Sequence, residues 1–175
     1  PELKGQIIVA NPGSAGTAYT VLSTLVQMKG EQEALQYMAQ LHKQIKQYTK
    51  AGEAPARSAA LGEAAVGITF IHNGIRLIKE GYTNLQLAVP EEGTGYEIGA
   101  VGIIKGRPEP ESAKIFVDWC LTKNAQELGQ KNGSYQFLTN PEANPPAEAL
   151  PFKNTKLIDY KLDWSGDNRQ RLVEA

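Results

Sequence analysis

An α/β layer fold is the class this chain predicts, and three observations carry it. Short apolar runs that suit buried strands alternate with segments whose apolar residues recur at helical spacing. Most junctions between the two hold Gly, Pro or Asn, which stop one element before the next begins. No internal repeat and no heptad array competes with that alternation.

Residues 6–10 read as a buried strand, ended by Pro12-Gly13, and a helix follows over about 17–29 until Gly30 stops it. A second helix is expected over 31–49, because Ala34, Met38, Leu41, Ile45 and Tyr48 fall on one helical face. Ala51-Gly52-Glu53-Ala54-Pro55 is a breaker, with Pro55 placed to start a short helix over 55–62. Val66 to Ile71 is the next strand, and Asn73-Gly74 turns the chain into a short helix closed by Gly81. Leu85 to Val89 is a further strand, cut by Pro90. Residues 91–99 form a loop rich in Gly and Glu, and Ala100 to Ile104 is another strand. Pro108 and Pro110 introduce a helix over 110–122, whose Ala113, Phe116, Val117, Cys120 and Leu121 follow core spacing. A shorter helix, 124–131, ends at Gly133, and 134–154 turns to Pro, Asn and Ala, an extended surface segment. Trp164-Ser165-Gly166-Asp167 caps a last helix, with Asp167 in its first turn.

The 175 residues suffice for one domain, or for a lobe with an attached segment, and need no metal or disulfide to hold a core. Lys and Arg number 18 against 19 Asp and Glu, a formal net charge of −1, which argues against an extended nucleic-acid surface. A single cysteine, Cys120, forms no internal disulfide and leaves the compartment open; on the core face of its helix it reads as packing. No apolar run is long enough to span a bilayer. The opening Pro1-Glu2-Leu3-Lys4-Gly5 has no initiating Met and no signal peptide, so the chain reads as a mature or excised fragment.

The most informative stretch is Asn11 to Thr20, Asn-Pro-Gly-Ser-Ala-Gly-Thr-Ala-Tyr-Thr, between the first strand and the first helix. Ser14 and Thr17 are cap-type residues, and Gly16 leaves the backbone bare where the helix starts. Unpaired N–H groups at the positive end of a helix dipole hold an anion such as phosphate or carboxylate. An ordinary capped strand–turn–helix with no ligand accounts for the same residues.

His72-Asn73 stands at the carboxyl end of the Val66–Ile71 run, where open α/β sheets hold ligands. If that strand and the first are parallel, both loops emerge on one edge; a plain turn with a polar His is the alternative. Glu91, Glu92, Tyr96 and Glu97 lie in the Gly-rich loop, as hydroxyl- or amine-recognising groups or as solvated charges. His42, beside the apolar face of its helix, is expected as a partly buried structural histidine.

Enzyme signatures are scarce. Gly13-Ser14-Ala15-Gly16 is not the G-x-S-x-G elbow, and two histidines offer little for a triad. No His or Cys has metal-site spacing, and Gly93-Thr94-Gly95 with Gly99 misses the dinucleotide fingerprint. A transferase or hydrolase with a phosphate loop would have only His72 as its general base. No catalytic residue, cofactor or protein-bound metal is expected.

Five segments together resemble bacterial solute-binding proteins of ATP-driven importers, in the ferric-binding-like branch. They are GQIIVANPGSAGTAYT, GEAAVGITFIHNG, AVPEEGTGYEIGAVGIIKG, ESAKIFVDWCLTKNAQELGQKNGSYQ and KLIDYKLDWSGDNRQRL. The resemblance implies a periplasmic-binding-protein-like lobe, with a central mixed, mainly parallel sheet flanked by helices. It implies that residues 1–97 are the second lobe of a two-lobed clamp and that 98–150 return to an absent first lobe. Residues 151–175 then form a tail and helix on the second lobe again. It further implies a periplasmic or cell-surface location, a membrane permease as partner, and no nucleic acid. Ferric members of the branch hold phosphate at the loop matching Ser14-Ala15-Gly16 and bind iron through paired tyrosines near the positions of Phe70 to Asn73. This chain has Phe-Ile-His-Asn there, a poor donor set for ferric ion.

The ligand expected on these grounds is a small anionic organic solute, a sugar phosphate or phosphonate, held by Ser14, Ala15, Gly16 and Thr17 with His72 and Asn73. Glu92, Tyr96 and Glu97 are expected at its polar body, and a ferric ion with a companion anion is the alternative. Phe116, Trp119 and Leu128 on the 110–131 helices are expected to seek a surface, through self-association or an exchanged segment.

Overall fold

Ile7, Ile8, Val9 and Ala10 are all buried, as a central parallel strand covered on both faces requires. The computed structural model describes residues 2–106 and 108–175; Pro1, the first of the opening residues 1–5, lies outside them. The chain divides into two units, Pro1–Glu97 with Asn154–Ala175, and Ile98–Lys153.

In the first unit β1 (Ile7–Ala10) lies between β2 (Ile45–Thr49) and β3 (Val66–Ile68), in a sheet of order β2-β1-β3. Both pairings are parallel. Ile7 faces Ile45 and Val66, and a register shift after Ile7 sets Val9 opposite Tyr48. Helices α1 (Gly16–Lys29) and α2 (Glu31–His42) connect β1 to β2, and α3 (Ala54–Ala60) connects β2 to β3. α4 (Ile71–Lys79) follows β3 after Thr69 and Phe70, so the strand expected to run to Ile71 ends at Ile68 and Ile71 opens the helix. Mixed α/β architecture with a parallel sheet is therefore the fold.

The expected helix over 31–49 is two elements. α2 stops at His42, Lys43 and Gln44 turn the chain, and 45–49 pair with β1. Ile45 and Tyr48 do pack on a core, that of Val9, Ala10, Ala15 and Ala18, but from a strand. The β-branched and aromatic residues of Ile-Lys-Gln-Tyr-Thr suit that pairing, and the ladder decides what periodicity leaves ambiguous. His42 is exposed and partnered instead of partly buried: its ring stacks on Tyr48, with Nδ1 3.0 Å from the phenol oxygen.

Two expected strands are absent. Leu85 packs beside Tyr82 on Ala56, Ala60 and Leu77, and Leu87 lies so close to Gly74 that a Cβ there would meet its Cδ2 at 2.3 Å. These side chains fill the core without a ladder. Gly74 is thus a packing glycine inside α4 and not a turn. Residues 100–104 are also irregular; Val101, Ile103 and Ile104 are exposed.

The last helix, α7 (Leu162–Glu174), starts before the expected cap, so Asp163 occupies its first turn and Ser165 lies inside it. Ser165 is buried against α1 and gathers a polar network. Its Oγ is 2.8 Å from both Ser23 Oγ and the Tyr160 hydroxyl, while the Tyr19 hydroxyl donates to its carbonyl. Around it Tyr19, Leu22, Val26, Ala34 and Leu172 form a core with Trp164 packed on it. Ser165→Ala would leave two buried hydroxyls short of a partner, so a loss of about 1–3 kcal/mol is expected in urea denaturation. A loss below about 0.5 kcal/mol would mean that the hydroxyls re-pair.

The second unit holds α5 (Pro110–Cys120), α6 (Lys123–Lys131) and a 3-10 turn, Ala147–Phe152. Thr122 caps α6 by accepting from the Ala125 amide. The 134–154 segment is fastened to α6 through Asn140 N on Gln126 Oε1 and Asn144 N on Glu127 Oε1. The Asn144 backbone amide, helped by its side-chain amide, holds the Glu127 carboxyl below its ordinary pKa. α5 has no buried residue: Phe116 is 57% exposed and Cys120 is half-buried, and Leu121, just past its end, is 55% exposed. Of the expected core stripe Ala113, Val117 and Cys120 are partly covered, while Phe116 and Leu121 remain exposed.

Candidate functional site

β1 and β3 are neighbours and parallel, so the loops that leave their carboxyl ends share an edge. The first loop is built around Asn11. Its carbonyl accepts from the amides of Ser14 and Ala15 at 3.1 and 3.0 Å, and its Oδ1 accepts from Gly13 N at 2.8 Å. The Ser14 hydroxyl donates to Lys50 O at 3.0 Å and so ties the loop to the chain leaving β2. The cap of α1 is Ala15, in extended geometry with φ −134° and ψ 128°, and no side chain caps the helix. The amides opening α1 at Gly16, Thr17 and Ala18 thus lack intrahelical acceptors.

α4 repeats the arrangement. Phe70 caps it with φ −72° and ψ 143° and again contributes no side-chain bond, which leaves the Ile71 and His72 amides at a second positive terminus. Asn73, in the same turn, is buried, and its Nδ2 donates to Thr69 Oγ1 at 2.9 Å. Both termini line one open concavity of about 320 Å³. Ser14, Ala15, Gly16, Thr17, His72, Asn73 and Glu97 come together there, with Lys50, Ala51, Gly52, Glu53 and Phe70. Glu92 and Tyr96 do not line it. Glu92 acts electrostatically on Lys29, at the far end of α1, and the Tyr96 ring packs 5.8 Å from that of Tyr160.

The β2–α3 loop, 50–53, is the part that sequence reasoning missed. Its residues reach the site because β2 is a third parallel strand beside β1, so its carboxyl-end loop opens on the same edge. With 45–49 placed in a helix, nothing marked that loop as a neighbour of Ser14.

The charges at the site are mixed. Glu53 is neutralised by Arg76, whose Nη2 is 2.7 Å from its Oε2, and Lys50 adds a cation. The Glu97 carboxylate stands over the first residue of α1: a Cβ on Gly16 would meet its Oε2 at 3.1 Å. Burial, helped by the Arg76 charge, lowers the His72 pKa below its ordinary value of 6.5. The imidazole is then neutral at pH 7, able to donate from one nitrogen and accept at the other. Because the folded pKa is depressed, His72 supports folding fully above about pH 6.5. That support is lost as pH falls through the folded value, since the unfolded chain takes up the proton first. His72→Gln should therefore flatten the fall in urea midpoint between pH 7.5 and 5; equal slopes in both proteins would reject that linkage.

Among the described residues no group of three or more His, Cys, Asp or Glu is placed to hold a metal ion, and no tyrosine lines the concavity. Nor is any described helix long and apolar enough to cross a membrane.

A parallel sheet with two uncapped helix termini meeting at its carboxyl edge is an arrangement suited to holding an anion. The family model for bacterial extracellular solute-binding proteins matches residues 1–157, and the chain belongs to that family of binding proteins. It is 47% identical over 172 residues to an uncharacterized protein of Haemophilus influenzae, covering 98% of this chain and 49% of that one. The periplasmic binding protein AfuA of Actinobacillus pleuropneumoniae, solved with fructose-6-phosphate bound, is 46% identical with a TM-score of 0.93. There the match covers 99% of this chain and 55% of AfuA. A Fe(3+)-binding periplasmic protein of Serratia marcescens is 22% identical over 181 residues, covering 99% of this chain and 52% of that protein. The chain spans about half the length of the curated relatives it matches.

Proposed function

We propose that this chain is the second lobe of the substrate-binding component of an ATP-driven importer, located in the periplasm or at the cell surface. Its ligand is a small phosphorylated or otherwise anionic organic solute, a sugar phosphate or phosphonate, delivered to a membrane permease. The observation that carries this reading is the convergence of the uncapped α1 and α4 termini on one concavity. The dipole contributes about 0.3–1 kcal/mol at each exposed terminus, and each hydrogen bond to a charged oxygen about 1.5–3 kcal/mol. Backbone alone thus supplies several kcal/mol for an anion, and AfuA carries a sugar phosphate.

In this reading the amides of Gly16 and Thr17 hold the anionic group, and His72 meets it from α4. Glu97 accepts a hydroxyl of the organic body. Ser14 and Ala15 shape the loop, since Asn11 already takes their amides. Residues 98–153 belong with a first lobe, and ligand closes the clamp so that the permease recognises the closed form. No bond is made or broken.

The test is calorimetry on the full-length protein with fructose-6-phosphate, inorganic phosphate, methylphosphonate and ferric ion. Binding of an organic phosphate or phosphonate is expected. Tight ferric binding with a charge-transfer colour and no response to organic phosphates would favour the iron reading that the Serratia relative represents, with ligands drawn from outside this concavity.

A further inference from the structure

His72 is a half-buried imidazole that lines the concavity as the second residue of α4, with its ring tilted against that of Phe70 at 5.8 Å. Among the described residues neither ring nitrogen has a hydrogen-bond partner, and neither is sealed from solvent. His42 is the contrast: it is bonded to the Tyr48 hydroxyl and does not line the concavity.

The charges around the His72 ring do not favour its cationic form. On α4 itself the positive terminus and Arg76, one turn on, both oppose a second proton. Glu80, further along α4, pairs with Arg57 and Arg76. From the β2–α3 loop, Glu53 is taken by Arg76, and Lys50 adds a further cation at the same edge. Glu97 borders the concavity with its carboxylate over Gly16 and makes no hydrogen bond to the imidazole. α1 brings backbone amides and no acidic side chain in its first turn. The imidazolium thus has no anion of its own in the empty lobe, and a phosphate or phosphonate oxygen would supply one. An opposite charge within about 4–6 Å favours the charged form of a titratable group by a factor of about ten or more.

We propose that His72 makes capture of the anion proton-linked: the imidazole takes one proton from solvent as the solute binds and returns it as the solute leaves. This rests on the anion-binding reading of the same concavity. Both ring nitrogens then carry N–H, and one donates to an anionic oxygen of the ligand. Burial and Arg76 leave the ring neutral at pH 7 in the empty lobe, so the proton is there to be gained. Ligand and proton strengthen each other's binding by the same factor. Affinity is therefore lowest well above the pKa of the bound state and rises as pH falls through it. The rise ends below the pKa of the empty lobe.

The experiment is titration calorimetry of the full-length protein with fructose-6-phosphate between about pH 8 and 6, in buffers of different ionisation enthalpy. The buffer dependence of the heat counts the protons taken up. About half a proton or more should enter near pH 6.5, and the wild type should gain about tenfold in affinity relative to His72→Gln across that range. The ligand's own second ionisation, at about pH 6, acts on both proteins, so the comparison isolates the imidazole. His42→Gln should behave as the wild type does. Equal proton uptake by the wild type and His72→Gln, or an affinity ratio constant within about twofold, overturns the proposal and leaves the functional reading standing. If His72→Gln binds too weakly to titrate, the ring resonance that this variant lacks decides. Its titration midpoint should move up when fructose-6-phosphate saturates the wild type, and an unmoved midpoint overturns the proposal. If the wild type binds no phosphorylated probe at any pH, the functional reading and this inference fall together.

Discussion

Gly67→Ala should lower the melting temperature by roughly 10 °C, the largest stability effect expected of any single methyl in the first unit. Gly67 is the middle residue of β3, and α3 lies against it without clearance. An added Cβ would meet the Pro55 carbonyl oxygen at 2.2 Å, its carbon at 2.6 Å and the Ala56 amide nitrogen at 3.1 Å. These are backbone atoms of a helix, so no rotamer change relieves the clash; α3 must move away from the sheet. Overpacking costs about 1–3 kcal/mol where side chains give way, and more where they cannot. About 3 kcal/mol or more is therefore expected here, against a total stability of roughly 5–15 kcal/mol for a domain. The damage reaches the site, because β3 delivers Thr69, Phe70 and His72 to the edge. Gly166→Ala is the control: it lies in α7, exposed, with nothing within 4 Å of its Cβ position. That change should raise stability by up to about 1 kcal/mol through helix propensity. Scanning calorimetry of both variants decides it, and a Gly67→Ala protein that melts within 2–3 °C of the wild type would show that α3 is not fixed by its contact with β3.

Why so much of this architecture is legible, and where it is not, follows from which residues carry local information. β1 is an apolar run bounded by Pro12-Gly13, and α1 ends on Gly30 with φ 81°; both signals are local and both elements form as expected. The 45–49 segment has no such boundary before it. Ile45 and Tyr48 continue the spacing of α2, and only pairing with β1, a partner 38 positions away at Ile7↔Ile45, makes them a strand. That error also hid Lys50 and Gly52 from the site. The opposite error was made at 85–89 and 100–104, where apolar runs look like strands but pair with no strand among the described residues. At the site, the Gly16 terminus was legible because a bare glycine after a strand is a backbone signal. The second terminus was not, since Asn73-Gly74 imitates a turn, and Gly74 is small for the sake of Leu87. Nothing local could separate Ser14, which ends up bonded to Lys50, from Thr17, which stays unpaired.

The largest effect expected on binding is from Gly16→Val, which should raise the dissociation constant for a sugar phosphate by about 10- to 150-fold. The size follows from losing one charge-assisted amide contact at the first residue of α1, where the branched side chain would stand between the amide and the ligand. Folding should survive. Gly16 has no positive φ, and valine has a better helix propensity than glycine, so the terminus itself is not weakened. The nearest neighbour of the new Cβ is Glu97 Oε2 at 3.1 Å, the far end of a flexible and exposed side chain. Glu97→Ala, by contrast, removes two opposing contributions. A carboxylate beside the α1 terminus would repel the ligand's own charge by about 1 kcal/mol at an exposed position. In the proposed reading it would also accept a ligand hydroxyl worth a similar amount. The two nearly cancel for a sugar phosphate, so its affinity should change by less than tenfold. For inorganic phosphate, which has no organic hydroxyl to offer, only the repulsion is removed, and Glu97→Ala should bind it more tightly than the wild type does. Isothermal titration of both variants with both ligands separates these contributions. If Glu97→Ala loses more sugar-phosphate affinity than Gly16→Val, side-chain recognition dominates and the backbone amides are secondary; the anion then sits elsewhere in the concavity.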